Sequence, residues 1–541
     1  AFPELAATTL SASWGAGGNA LSVTTYTVEA STAADFSATA SPYQVSLSTL
    51  PDAGPAASLT GLLANTTYHL RVRAVNHNGL FSQYLAIGST STLAASPGAF
   101  TSFISVEIDS ATLQWGSSGN PPALTTYTVV MSTDSFYPNT HGGTVALSTV
   151  PSGVNPVATM TGISPNTSYY LFVRAINNNG VGTSFVLLGT TATRAAVPVG
   201  PASFGAMGVS SFTASWGAGG NALSITTYTV EASSSSQFGG GALVFSVSTV
   251  PSAGPAATFS SLLANTTYHL RALAFNHPGV GSALAGLGST STLAEAPTAA
   301  AVTFSEVFVG SASVSWEENG NPVDRTTYAV VLSTSPGYPN GDAGNAALST
   351  APAGSLPSAH LSGLAANTTY FLFLQAVNNN GIGSAYFSPG STATKPVEPL
   401  SASSTFTAVA NVSLTAQWES GGNGSGTLYE AWASTEAPLT TTHVGNSFVS
   451  TRSWAAPISA QLVGLVANTT YFLFVRAVGH SGAATPYVGL GSTATLANTP
   501  VAAGVPFSDV STGSLVGYWN ANGNGAGTRY ETVVGPAFPY T

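Results

Sequence analysis

Six tryptophans, Trp14, Trp115, Trp216, Trp316, Trp418 and Trp519, recur at steps of 100–102 residues. A tyrosine follows each one 11 or 12 residues later, at Tyr26, Tyr127, Tyr228, Tyr328, Tyr429 and Tyr530. A period of this length is the size of a whole small domain and several times that of a solenoid unit. The chain is therefore expected to be a string of like domains, in keeping with its 541 residues, since single cores rarely grow past ~250. The spacing places the repeats at 1–97, 98–199, 200–297, 298–397 and 398–500, with a partial sixth at 501–541.

Inside each repeat the pattern is that of strands. Runs such as TYTVEAS (25–31) and YHLRVRA (68–74) alternate apolar with polar residues, and period two marks a strand with one buried and one wet face. In the second run Tyr68, Leu70, Val72 and Ala74 fall on the core face, with His69, Arg71 and Arg73 opposite. Helical periodicity never exceeds two turns, and 58 Gly and 32 Pro punctuate the runs at short intervals. All-β sandwiches are expected.

The elements also come in a fixed order. After the Trp and the first Tyr stand a Leu, the tetrapeptide NTTY or NTSY, an alternating run that closes on Asn and Gly, and a Ser/Thr-rich run such as GSTSTLA. In this order the chain resembles the fibronectin type III domain, repeated, as in bacterial secreted or cell-surface fibronectin type III repeat proteins. The resemblance implies tandem seven-stranded, immunoglobulin-like β-sandwiches in a rod-like array, with the Trp on strand B and the first Tyr on strand C. It also implies that Tyr68, Tyr169, Tyr268, Tyr370 and Tyr471 open strand F as corner residues, their hydroxyls bonded back to the turn backbone. With the six tryptophans they form the expected core. Burying one indole removes on the order of 200 Å² from water, worth ~5 kcal/mol. Asn-Thr-Thr is expected to make the turn before strand F, and Asn78 with Gly79 the tight turn into strand G.

The repeats are not equivalent. One and three share SWGAGGNAL, TTYTVEAS and LLANTTYHLR, two and four share GNP and NNNG, and five and six share GNGSGTLYE or GNGAGTRYE. The linkers are short and proline-bearing, which predicts stiff junctions. At ~35 Å per domain, five in a row approach ~170 Å. The sixth repeat holds residues for strands A to C only. The expectation is that the polypeptide continues beyond it, with completion by strands of a neighbour, or a disordered half domain, as the alternatives.

Composition excludes several functions. Only 6% of residues are charged, against ~25% in an average soluble protein. The net charge is −10 and Lys395 is the single lysine, which excludes nucleic acid as a partner, because phosphate binding needs clustered Lys and Arg. No apolar run is long enough to span a bilayer. There is no cysteine, hence no disulfide. His69 and His77, matched by His269 and His277, suggest a metal pair, but eight residues of extended strand cover ~26 Å while zinc ligands lie ~2 Å from one ion. Surface histidines are the better reading. Glu317, Glu318, Asn319 and Asp324 gather in one loop of the fourth repeat, a weak calcium pattern that a solvated loop explains better. No nucleophile elbow, Ser-His-Asp order, phosphate loop or acid–base pair recurs, so no enzyme activity, catalytic residue, metal or cofactor is expected. Glu29 with Arg71 and Glu231 with Arg271 read as cross-strand pairs. Of seven Asn-x-Ser/Thr sequons, Asn65, Asn166, Asn265, Asn367 and Asn468 coincide with the turn before the corner tyrosine, while Asn411 and Asn423 do not. All are candidate glycosylation acceptors, although the turn alone explains the recurrence of the five.

A surface of Ser, Thr, Gly, Ala and Asn lacks the charges that guard strand edges against pairing with other chains. The expected function is an extracellular or cell-surface structural protein, a self-associating filament subunit or stalk. Alternatives are an adhesin or carbohydrate-binding array, or the spacer region of a secreted polysaccharide-degrading enzyme.

Overall fold

The computed structural model describes the chain except for residues 101, 140–141, 151–152, 324, 351–355, 453–456 and 537–541. Two compact units divide it. Ala1–Met207, Ser211–Ser260 and Tyr268–Thr290 form the first, and Gly208–Ser210, Ser261–Thr267 and Ser291–Thr541 form the second.

The first repeat contains β1 (Glu4–Leu5), β2 (Thr9–Ser13), β3 (Thr25–Ser31), β4 (Gln44–Ser48), β5 (Ala56–Thr60), β6 (Thr67–Val75) and β7 (Leu85–Ser91). One antiparallel sheet runs β1-β2-β5 and the other β4-β3-β6-β7. In the lettering expected from the resemblance, this is an immunoglobulin-like sandwich with A-B-E against C′-C-F-G. The same three-plus-four strand order recurs in the second to fifth repeats. The core follows the alternation. Leu10 and Ala12 of β2, Tyr26, Val28 and Ala30 of β3, Leu59 of β5, and Tyr68, Leu70 and Val72 of β6 are buried together between the sheets.

Trp115, Trp316 and Trp418 are fully buried, Trp216 is 6% exposed, and Trp14 is half-buried against its core. Each indole meets the strand C tyrosine across the core, with centroids 5.4 Å apart at 64° for Trp115 and Tyr127, an edge-on geometry that suits two aromatic quadrupoles. Trp519 departs from the expected core, at 40% exposed. Among the described residues the sixth repeat has two paired strands, Val501–Ser508 and Val516–Asn520, and Tyr530 lies outside any strand, where strand C was expected. In the other repeats strand C lies hydrogen-bonded between C′ and F. Among the described residues neither stands beside Tyr530, and the Trp519 indole is covered in part by the Tyr530 ring, 5.6 Å between centroids.

The corner tyrosines Tyr68, Tyr169, Tyr268, Tyr370 and Tyr471 are all buried. The Tyr68 hydroxyl accepts from the Leu63 N–H at 3.0 Å and donates to the Pro42 carbonyl at 2.7 Å. Tyr169, Tyr370 and Tyr471 accept likewise from the N–H of Ser164, Ala365 and Val466. The turn into strand G differs in one respect from its sequence reading. Gly79 takes the left-handed conformation (φ 80°), but the shaping side chain is Asn76, whose Oδ1 accepts from the N–H groups of Asn78 and Leu80.

Replacing Trp216 with Ala leaves a core cavity and is expected to cost ~3–5 kcal/mol, read in denaturant melts of the full chain. A second outcome concerns alkali. Burial, reinforced by the nearby Glu318 carboxylate, pushes Tyr328 up to about 12, whereas an unfolded tyrosine ionises near ~10. Below pH ~10 both states hold the proton and stability is unaffected. As pH rises from ~10 to ~12 the unfolded chain loses the proton first and the fourth repeat loses stability. Tyrosinate absorbance followed alongside unfolding checks the order of events.

Candidate functional site: the joints between repeats

The five NTTY or NTSY asparagines share one backbone state, with φ of 40° for Asn65, 43° for Asn166, 40° for Asn265, 42° for Asn367 and 48° for Asn468. Non-glycine residues rarely adopt this left-handed conformation, and Asn tolerates it best. The pole around each asparagine is braced from behind. In the first repeat Thr92, at the end of strand G, accepts from the Thr66 N–H and donates to the Leu63 carbonyl, and Thr193, Thr292, Thr394 and Thr495 repeat the arrangement.

So held, the asparagine points its amide into the following repeat. In the first unit, Asn65 Nδ2 donates to Thr125 Oγ1 at 3.0 Å and its Oδ1 accepts the Asn178 N–H at 2.6 Å. At the next joint Asn166 Nδ2 donates to Thr226 Oγ1 at 2.7 Å and its Oδ1 accepts the His277 N–H at 2.8 Å. Within the second unit Asn265 pairs with Thr326 and the Asn379 N–H, and Asn367 with Thr427 and the His480 N–H. Asn468 Nδ2 meets Thr528 Oγ1. Asn65, Asn166, Asn265 and Asn367 have no exposed surface.

The threonine is oriented as well. Thr226 donates its own proton to the Ala222 carbonyl at 2.6 Å, so a lone pair, and not a proton, faces Asn166. Only a donor fits there. Aspartate would place a buried charge against that lone pair, and glycine would satisfy φ but span nothing.

A second asparagine set clamps the linker. Asn120 accepts from the Ala95 N–H and donates to the Ala95 carbonyl, both at 2.8 Å. Asn221 on Ala196, Asn321 on Glu295 and Asn423 on Val397 do the same. A third contact comes from the F–G turn, where Asn177 Nδ2 donates to the Thr92 carbonyl and Asn276 Nδ2 to the Thr193 carbonyl. In the fifth repeat that position is Gly479, where a Cβ would lie 2.9 Å from Pro396 Cδ.

From sequence only His277, as a histidine, and Asn423, as a sequon, were singled out, and neither with a part in a joint. Thr125, Thr226, Thr326 and Thr427 read as strand residues, and Asn120, Asn221, Asn321 and Asn423 as loop residues. The available signal was a constant offset of 60 or 61 residues from each NTTY or NTSY asparagine to a threonine two before the next strand C tyrosine.

Other candidate residues fall elsewhere. His69 sits on β6 opposite Ser31 and Ser89, and His77 is exposed in the F–G turn. His277 serves its joint through its backbone. Asn319 donates to the Ala296 carbonyl in a linker, and Asp324 lies outside the described residues. Among the described residues no three His, Asp or Glu side chains gather as a metal site. Glu29 with Arg71 and Glu231 with Arg271 form ion pairs at 2.7 Å, and Glu430 with Arg476 forms a third that the sequence reading missed.

The geometry bears on the five glycosylation candidates at the joints. Nδ2 is the atom a glycan would occupy, and in Asn65, Asn166, Asn265 and Asn367 it is buried and donates to the next repeat. Glycan and joint exclude each other there, and Asn468 is engaged with Thr528 in the same way. Asn411 is exposed.

No protein-family profile matches the chain, and no curated protein does. Among solved structures, a crystal structure of the FN1–FN3 domains of chicken CNTN1 is similar to it, at 19% identity over 55% of this chain and 99% of that one, with a TM-score of 0.21.

Asn166→Asp is expected to cost ~1–3 kcal/mol at neutral pH. Burial holds the new carboxyl above the usual carboxylate range, so the deficit relative to the native chain should shrink in acid, where the protonated group regains a donor. Paired denaturant melts across pH measure this. In a glycosylating host, mass spectrometry of the folded protein should find Asn65, Asn166, Asn265 and Asn367 unmodified and Asn411 competent.

Proposed function

We propose that this chain is a non-enzymatic structural protein, an extracellular filament subunit or surface stalk made of tandem fibronectin type III-like sandwiches. The observation that carries the reading is the joint. Flexible linkage between independent modules needs only a polar linker, whereas here fully buried amides link one repeat to the next and the linker itself is clamped. Such joints fix the orientation of one repeat on the next and resist tension or shear, which serves a load-bearing element. The surface supports the same reading, because 6% charged residues give little mutual repulsion between chains aligned side by side. The joints use neutral amides and hydroxyls, so they are insensitive to salt.

Electron microscopy and light scattering of the purified protein test this. Filaments or bundles that persist from low to molar salt are expected, since screening from ~30 Å to ~3 Å weakens ion pairs but not neutral hydrogen bonds. Monomers at every concentration and salt level would refute self-assembly.

A further inference from the structure

Each complete sandwich has four edge strands, A and E in one sheet and C′ and G in the other. An edge strand turns a row of backbone N–H and C=O groups outward, where another chain can pair with them unless something blunts the edge. Three of the four are blunted here. The pairing of strand G on F slips in the first, second, fourth and fifth repeats, between Leu70 and Arg71 in the first, and in the second repeat Ser102, just before strand A, donates to the Leu188 carbonyl of strand G at 2.8 Å. Strand A slips on B in the second to fifth repeats and is two residues long in the first. Strand E pairs regularly, but in every complete repeat it starts directly after a proline, at Pro55, Pro156, Pro255, Pro357 and Pro457, which stops an added strand from continuing the ladder.

Strand C′ carries none of these devices. Gln44–Ser48, Val145–Thr149, Val244–Ser248, Ala346–Thr350 and Ser447–Arg452 pair with strand C without a slip. They hold no glycine or proline and a single charged residue, Arg452, at the very end of the fifth. The ladder also shows which groups face out. The Thr49 N–H donates to the Tyr26 carbonyl at 2.8 Å and the Thr249 N–H to that of Tyr228 at 2.8 Å, and bonding toward one neighbour alternates along an antiparallel strand. Ser46 and Ser48, and Ser246 and Ser248, therefore turn their N–H and C=O groups away from strand C, and all four residues are exposed. The same alignment against Tyr127, Tyr328 and Tyr429 puts Ala146, Ala347 and Ser450 outward in the other repeats. Small neutral residues let a second backbone approach to the ~4.8 Å of paired strands.

Resting on the self-assembly reading above, we propose that C′ is the edge through which copies of this chain associate. It pairs antiparallel with the C′ strand of a second copy about a two-fold axis, so that two four-stranded sheets become one of eight strands. A second copy suits the edge because an antiparallel ladder is self-complementary: the same N–H and C=O groups face each other from both sides, and outside the fifth repeat no charge meets its like. A five-residue ladder is weak alone, but the strand recurs in all five complete repeats, and the contact is multivalent.

Hydrogen exchange of the native full chain, dilute against assembled and read by mass spectrometry on peptides from each strand, tests this. Assembly should slow exchange roughly tenfold or more across Gln44–Ser48 and its four counterparts and leave strands A, E and G unchanged. Proline placed together at Ser46, Ala146, Ser246, Ala347 and Ser450 removes only outward N–H groups. That variant should keep the native circular dichroism and lose assembly at least roughly tenfold in light scattering. New protection at A, E or G in place of C′, or undiminished assembly of the folded proline variant, overturns the edge assignment and leaves self-assembly standing. Should the variant fail to fold, the exchange pattern of the native chain decides alone. A native chain that stays monomeric at every concentration and salt level refutes self-assembly, and this pairing with it.

Discussion

The buried amide of one asparagine per repeat is the interaction on which the array depends. A fully desolvated carboxamide is tolerable only if its donor and its acceptor are both used, because each unpaired group costs ~1–3 kcal/mol. At Asn166 both partners lie in the next repeat, Thr226 and the His277 N–H. Burial thus makes the joint nearly obligatory. Separating the two repeats would return the amide to water, but a misaligned joint would strand it.

That amide works because the pole behind it is prearranged. The corner tyrosine holds the turn, the strand G threonine ties both of its ends, and the left-handed residue aims the side chain outward. Little conformational entropy remains to be lost when the next repeat docks. The core and the joint are therefore one construction: the tyrosine buried to close the sandwich also fixes the loop that presents the asparagine.

The outer sheet faces are free to vary because neither core nor joint uses them. Odd repeats one and three carry a Glu–Arg pair where two and four carry Val130 with Phe172 and Val331 with Phe373. An arginine lies against an aromatic ring in the first, second, third and fifth repeats, Arg71 on Phe36 and Tyr84, Arg174 on Phe185, Arg271 on Phe238 and Arg476 on Tyr487. Variation concentrated on one face of an otherwise repeated fold is where differences of partner between repeats can arise.

Period two in YHLRVRA and the recurrence of Trp and Tyr determined by themselves the strands and the core face, because alternation and aromatic burial are local rules. Those rules also placed Glu29 opposite Arg71. They did not reach the joints. NTTY was legible as a turn, yet the reason it is Asn, and not Gly, lies 60 residues downstream in a threonine hydroxyl whose proton is already committed. Trp519 carries the same local pattern as Trp418 but is exposed, since burial needs covering strands that no pattern around the indole can supply. Sequence periodicity decides what a segment does with its own neighbours. Only tertiary structure decides which distant polar groups a buried side chain must satisfy.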